Sequence, residues 1–302
     1  MCTAVCYRGD VPYFGRTLDL EYHYEEEVVL TPRLFPLSWR HRGTTTSHFA
    51  YAGMATMAEG YPLYYDGVNE RGVAVAALQF TDFAHYEKAI RPDALCAFEV
   101  IPFLLSHATS ASHGVSLLEG VSLVDTPFAP QLTTTPLHWL VSDRKESYVI
   151  EPRPEGLVIL QNPLGVLANA PDFSTHLAYY ESFRHLAPND RSQSAHALPG
   201  NWTSKSRFVR AAYLNQHLEK GDHTTFFHMM SSLAVPPGAS LTEDGAPIRT
   251  VYTSCCNLVT PTYHYITHRG LSIHTLTLQG QPLDTSHLIR NPLDPHPGDH
   301  LV

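Results

Sequence analysis

The sequence carries little charge, and little of that charge is basic. Asp, Glu, Lys and Arg make up 16% of the 302 residues, and 29 acidic against 20 basic residues give a formal net charge of −9. No basic patch stands out, which argues against nucleic acid as a partner, because phosphate binding needs one. We read the acidic balance as serving solubility. No segment approaches the roughly 18 consecutive apolar residues of a membrane-spanning helix. The N-terminus also lacks a basic stretch followed by an apolar run. Five cysteines with no CxxC pair do not make a secreted disulfide framework. A cytoplasmic protein without a membrane partner is expected.

Metal signatures are missing as well. There are 19 histidines, and His264 and His268 stand four apart, but the Tyr/Ile/Thr alternation around them is strand-like. No HExxH and no paired carboxylates appear. No metal and no cofactor is expected.

What is present suits a large core. The apolar fraction is 43%, with 16 Tyr and 13 Phe, enough to fold without staples. No strong linker and no repeat divides the chain, so 1–302 reads as one domain. Residues 3–7 and 11–18 read as a hairpin about Gly9-Asp10. Further strands are expected at 27–31, 73–80, 137–142, 147–151, 157–161, 251–259 and 262–278. Residues 40–60 read as containing loops, 67–72 as a turn, and 125–136 and 186–204 as loops. Helices are expected at 93–107, kinked or broken at Pro102, at 112–119 up to Gly120, and at 206–220. The last dozen residues, with three prolines, read as a loose tail. Strands interspersed with few helices fit an α+β fold.

The N-terminus carries the chemistry. Removal of Met1 places a thiol and a free α-amine on Cys2, and such a residue carries its own base. If Gly9 and Asp10 are the only turn residues, Cys2 pairs with Thr17, Arg16 and Leu18 flank it, and Asp19 lies just past the strand end. Arg16 is a cation able to favour a thiolate. Asp19 is a carboxylate able to hold or orient the amine. This register puts Arg16 on the face opposite Cys2, whereas a one-residue slip or a bulge brings both to one face.

The opening Met-Cys-Thr-Ala and Phe-Gly-Arg-Thr-Leu-Asp (14–19) resemble the choloylglycine hydrolase family, which contains bile salt hydrolases and penicillin V acylases. The resemblance continues, in order, through Asp-Gly-Val-Asn-Glu-Arg-Gly (66–72), Leu-His-Trp-Leu-Val-Ser-Asp (137–143), Gly-Val-Leu-Ala-Asn-Ala-Pro (165–171), Ser-Arg-Phe-Val-Arg (206–210) and Tyr-Thr-Ser-Cys (252–255). It implies the N-terminal-nucleophile fold, a four-layer αββα sandwich of two antiparallel sheets covered by helices. It also implies Cys2 as nucleophile with its own α-amine as base, and Arg16 and Asp19 as partners. Asn169 would be an oxyanion donor and Arg207 a second cation. Gln79 stands where bile salt hydrolases have Asn in Leu-Asn-Phe and penicillin V acylases often carry Tyr. It would supply a backbone N–H or a side-chain amide to the oxyanion.

The loops that match the family's pocket offer Leu18, Leu20, Met57, Tyr61, Tyr64, Phe128, Leu132 and Leu137, apolar enough for a steroid or a phenoxyacetyl group. Phe128 and Leu132 lie in a Pro/Thr-rich loop, where apolar groups point to binding more than to core. The expectation is a bile salt hydrolase acting on a small conjugated bile acid. A penicillin V acylase and a non-catalytic ligand-binding relative are the alternatives. The resemblance further implies a homo-oligomer, tetramer or dimer. The family's assembly and conjugate-choice region falls between Asn169 and Arg207, where this chain has Ser-Gln-Ser-Ala-His-Ala before Leu198.

Overall fold

Strands from both ends of the chain meet in one sheet, and that places residue 2 beside residues far along the sequence. The computed structural model describes residues 1–183 and 198–293. Its first sheet has seven strands. In spatial order these are Val166–Ala168, Cys2–Arg8, Pro12–Leu20, Pro247–Asn257, Thr262–Thr267 and Gly270–Thr277, with Ser240–Leu241 paired to Pro247–Asn257. A second sheet of nine strands runs Gly156–Gln161, Ser147–Arg153, Leu137–Ser142, Ala74–Gln79, Asp66–Asn69, Tyr51–Ala58, Glu26–Thr31 and Ile289–Pro292, with Tyr61–Tyr64 on Tyr51–Ala58. All of these pairings are antiparallel.

The sheets stack, and helices cover their outer faces. Ser204–His217 and His223–Ser231 lie on the first sheet, with Phe173–Glu181 packed against Ser204–His217, and Val100–His107 and Ala111–Ser116 lie on the second. This is the four-layer αββα sandwich. Strands covered on both sides cannot alternate polar and apolar residues, and Cys2–Arg8 and Pro12–Leu20 are buried almost throughout. One apolar core joins the two sheets and the helices on the first, including Phe14, Leu140, Phe208 and Phe226. A second core packs Val75, Trp139 and Ile150 against Ile101, Leu104 and Leu105.

Several local expectations need correction. The first hairpin pairs Cys2 with Leu18, Ala4 with Arg16 and Arg8 with Pro12, so its connection has three residues, 9–11, and Val11 belongs to the turn. In this register Ala4, Cys6, Phe14 and Leu18 share one face of the hairpin, and Val5, Tyr7 and Tyr13 the other, both in the main core. Within 40–60, Leu37–Trp39 pairs with Gly43–Thr45, and Tyr51–Ala58 is a full strand. Its small residues permit a close approach: a Cβ on Gly53 would lie 1.9 Å from the Asp66 carbonyl oxygen. The turn expected at 67–72 is confined to 70–72, since Asp66–Asn69 is a strand.

The helix expected at 93–107 begins only at Val100. Pro102 sits in its first turn, where the missing N–H has no intrahelical partner to lose, so it breaks nothing. The 112–119 helix spans Ala111–Ser116, and the 206–220 helix spans Ser204–His217. The 262–278 strand is a hairpin of two strands. Phe173–Glu181 and His223–Ser231 were not anticipated. Their aromatic, Thr and His content is poor in helix formers, yet Asp172 and Asp222 cap them by accepting from Thr175 and from Thr224 and Thr225 backbone N–H groups. The loose-tail expectation falls partly on the strand Ile289–Pro292, with 294–302 outside the described residues. The Ser-Gln-Ser-Ala-His-Ala run lies wholly outside them, and of the expected 186–204 loop only 198–204 is described, where Ser204 already begins a helix.

Candidate active site

Three strands bring the expected catalytic residues to one place. Cys2 opens its strand beside Leu18, with Thr3 opposite Ala168 on the other side. Antiparallel continuation puts Asn169, the residue after that strand, next to Cys2. Asp19, one residue before the end of the second strand, pairs with Thr250 on the third. With Cys2 opposite Leu18 and Ala4 opposite Arg16, Cys2 and Arg16 share the face that looks between the sheets. The register slip considered from sequence is therefore the one that occurs.

The Cys2 nitrogen is the atom that becomes the α-amine when Met1 leaves. It donates to Asn169 Oδ1. Met1 itself sits at the strand end, its amine donating to the Asp19 carbonyl at 2.6 Å and its carbonyl accepting from the Asp19 N–H at 2.9 Å. Arg207 enters from the first turn of Ser204–His217, whose N-cap Thr203 accepts from the Ser206 N–H. It is fully buried. Its Nη1 donates to the Cys2 carbonyl and to Thr3 Oγ1, its Nη2 to Asn169 Oδ1 at 2.9 Å, and its Nε to the Trp202 carbonyl at 3.0 Å. Burial lowers the Arg207 pKa, opposed by Asp19 and Cys2, but a guanidinium starts so high that it keeps its charge.

Two donors converge on Asn169 Oδ1, which fixes the orientation of the amide. Nδ2 donates to the Gln79 carbonyl at 3.0 Å and retains a second N–H. The Gln79 side chain is exposed, so Gln79 meets this cluster through its backbone. Asp19 is wholly buried, with Oδ1 accepting from Thr250 Oγ1 at 2.6 Å, Oδ2 accepting from Thr17 Oγ1 at 3.4 Å, and Arg207 Nη1 at 4.0 Å.

Arg16 is held on the Cys2 face, against the second sheet. Its Nε donates to the Thr17 carbonyl at 3.2 Å, and Nη1 to the carbonyls of Tyr65 at 3.1 Å and Ala77 at 2.5 Å. Its Nη2 is buried with no acceptor among the described residues. Burial works to lower its pKa, but Cys2, Tyr252, Asp66 and Asp19 outweigh burial and raise it.

The family described as linear amide C–N hydrolases, choloylglycine hydrolase family, matches residues 2–291, starting at the cysteine. The bile salt hydrolase/transferase of Lactiplantibacillus plantarum is 37% identical, covering 97% of each chain. The C2A mutant of conjugated bile acid hydrolase from Clostridium perfringens superposes with a TM-score of 0.91 at 26% identity, again over 97% of both chains. The chain belongs to the choloylglycine hydrolase family. Penicillin V acylase from Agrobacterium tumefaciens shares the fold, with a TM-score of 0.80 at 20% identity over 96% of this chain and 90% of that one.

Within this choloylglycine hydrolase frame, the eight apolar pocket candidates separate into groups. Leu18 is cross-strand partner to Cys2, and Leu137 to Gln79. Leu20 packs at the margin of the main core. Tyr61 and Phe128 join Phe98 in an aromatic cluster, with ring centroids 5.5 Å apart for Tyr61–Phe128 and 5.3 Å for Phe98–Phe128. Arg40 stands over Phe98 and Phe128 and donates to the Phe128 carbonyl at 2.6 Å. Met57 sits beside the Tyr51–Ala58/Tyr61–Tyr64 hairpin tip, paired with Pro62. Leu132 is 39% exposed. Tyr64 does not fit a pocket role. It is buried against Tyr51 in the outer core, and its hydroxyl bonds Thr31 Oγ1 at 2.7 Å.

Sequence reasoning missed a supporting ring of polar residues. Thr250 holds Asp19. Buried Asp66 accepts from Ser254 Oγ and, at 2.6 Å, from the Tyr263 hydroxyl, while Ser254 Oγ accepts from the Arg16 N–H at 3.1 Å. Burial raises the Asp66 pKa, opposed first by Arg16. Behind Asn169, its carbonyl accepts from His176 Nε2 and Ser204 Oγ, both at 2.8 Å. Burial pushes the His176 pKa down to about 4, so the imidazole is neutral and donates through Nε2. Asp66 and Ser254 lie inside the motifs of the resemblance, where a polar residue in a buried strand could have flagged them.

Proposed function

We propose that this chain is a bile salt hydrolase, cleaving the amide of glycine- or taurine-conjugated bile acids through a thioester on Cys2. The observation that carries the proposal is the clamp on residue 2: its nitrogen on Asn169 and its carbonyl on Arg207, with Arg16 on its own face. The relatives named bile salt hydrolase or conjugated bile acid hydrolase supply the substrate class.

The chemistry follows from the groups present. Loss of Met1 turns the Cys2 nitrogen into an α-amine, held in place by Asn169 Oδ1. That amine takes the thiol proton as sulfur attacks the amide carbon. Arg16 and Arg207 stabilise the negative charge of the thiolate. The free N–H of Asn169 Nδ2 donates to the developing oxyanion, a contribution of roughly 3 kcal/mol for one preorganised donor. The amine passes its proton to the leaving nitrogen, the C–N bond breaks, and glycine or taurine departs. Water then adds to the thioester, with the amine as base, and releases the bile acid and the thiol. Gln79 acts through its backbone. The Tyr61–Phe128 cluster with Leu18, Leu20, Met57, Leu132 and Leu137 provides the apolar surface for the acyl group.

The same reading makes 1–302 a single N-terminal-nucleophile domain acting in the cytoplasm as a dimer or tetramer. All five cysteines are unpaired and buried, in keeping with a reducing compartment. Gly270–Thr277 forms an edge of the first sheet with Leu271 88% exposed, a surface suited to self-association.

Release of glycine and taurine from conjugated bile salts, and of 6-aminopenicillanic acid from penicillin V, tests the assignment beside Cys2→Ser. Bile salt turnover that the variant lacks supports it. Turnover of penicillin V alone would make the chain an acylase of that type, and no turnover of either would leave a ligand-binding relative.

A further inference from the structure

His23 and His268 meet outside the hydrogen bonds of the catalytic cluster. His23 lies in the 21–25 connection that leads from Pro12–Leu20 in the first sheet to Glu26–Thr31 in the second. His268 lies in the turn between Thr262–Thr267 and Gly270–Thr277. Their Nε2 atoms are 3.4 Å apart. Each ring's other nitrogen is engaged: His23 Nδ1 with Glu26 Oε2 at 3.0 Å, and His268 Nδ1 with the Val251 carbonyl at 3.4 Å. Glu26 is itself fixed, buried and accepting from the Tyr24 N–H at 3.1 Å.

A carboxylate and a carbonyl only accept, so both Nδ1 atoms carry the proton. The Nε2 lone pairs then lie side by side, the two rings tilted 36° to each other with centroids 4.6 Å apart. Two lone pairs this close repel unless a cation lies between them. Two nitrogens each about 2.0–2.1 Å from a tetrahedral Zn²⁺ are themselves about 3.3–3.4 Å apart, which matches the separation here. Holding Nδ1 with a carboxylate or a backbone carbonyl is also how metal-ligating histidines are oriented.

We propose that His23 and His268 form a two-histidine binding site for Zn²⁺, completed by water. His268 is exposed and His23 half-buried, so water reaches the remaining positions. Arg249 and Arg269 lie near enough to act on His268. Their charge opposes any dication, so what selects the metal is the ligand type: two imidazoles suit Zn²⁺, whereas hard cations such as Ca²⁺ seek oxygen ligands. The bound ion ties the inter-sheet connection to the hairpin turn. The site is independent of the bile salt hydrolase assignment.

The test uses the full chain carrying Cys2→Ser, which removes the nucleophilic thiol as a competing metal ligand. Zn²⁺ is titrated calorimetrically, and Co²⁺ by its visible absorption. One equivalent of Zn²⁺ is expected, with tetrahedral Co²⁺ bands and a Zn²⁺-dependent rise in the urea midpoint. His23→Ala, His268→Ala and the milder His268→Gln should each weaken Zn²⁺ binding at least tenfold and abolish the Co²⁺ bands. Absence of Zn²⁺ binding in the parent overturns the site, and so does binding that survives in either histidine's variants. Proton sharing between the two rings, seen by NMR in a parent that ignores Zn²⁺, would identify a proton as the bridging cation instead.

Discussion

Asn169→Asp separates the two jobs assigned to Asn169. The aspartate keeps an oxygen facing the Cys2 nitrogen and Arg207 Nη2, so the clamp on residue 2 retains its acceptor. It replaces Nδ2 with an oxygen, so the oxyanion loses its donor. Losing one such donor costs about 2.7–4 kcal/mol of transition-state stabilisation, or roughly 10²–10³ in kcat. The Gln79 carbonyl, 3.0 Å from Nδ2, also loses its partner, which costs about 1–3 kcal/mol of folding stability. Glycine release from a glycine-conjugated bile salt should show a kcat down roughly 10²–10³-fold with KM little changed. Urea unfolding should report the stability loss. Asn169→Ala removes the donor without adding a charge, and its kcat should fall comparably. A kcat within tenfold of the parent in the alanine variant would refute the oxyanion role.

Two further outcomes follow from the packing. His176 is buried with its pKa lowered from 6.5 to about 4, so the unfolded chain binds its proton first. Its contribution is intact above pH 6.5 and is lost as pH falls toward about 4, on the order of 3 kcal/mol over that window. Stability measured against pH should fall across it, and His176→Gln should flatten the slope; an unchanged slope would contradict a buried neutral imidazole. Gly15 leaves no room for a Cβ, which would lie 1.9 Å from the Ser254 carbonyl oxygen and 2.7 Å from its carbon. Gly15→Ala should lower the urea midpoint severely or yield no soluble protein, and a midpoint matching the parent would contradict the close strand approach.

Much of the site could be read in the sequence because its parts sit in short, ordered motifs. Cys2, Asp19, Asn169 and Arg207 meet in one cluster, with Arg16 on the face of Cys2. The hairpin arithmetic was one residue off, because a Gly-Asp pair does not reveal whether the next residue, Val11, is turn or strand. The observed pairing of Arg8 with Pro12 puts Val11 in the turn, and burial on both faces left no alternation to reveal it. The strand Tyr51–Ala58 was hidden by its own small residues, which exist to admit a neighbouring backbone. Phe173–Glu181 and His223–Ser231 are helices that capping and packing impose on weak helix formers. Tyr64 shows the limit of assigning a pocket by loop position, since its neighbour Tyr61 turns toward Phe128 while Tyr64 turns into the core. The Asp66–Ser254–Tyr263 support could not be paired from sequence, because residues so far apart meet only through the sheet stack.

The central claim is that Cys2, with a free α-amine, carries the acyl group. Mass spectrometry of the N-terminal peptide, quenched in acid during bile salt turnover, tests it most directly. The account predicts a peptide that begins at Cys2, with Met1 absent and part of the population carrying the bile acyl mass on the thiol. Active protein that retains Met1, or an acyl group found on any other residue, would contradict it.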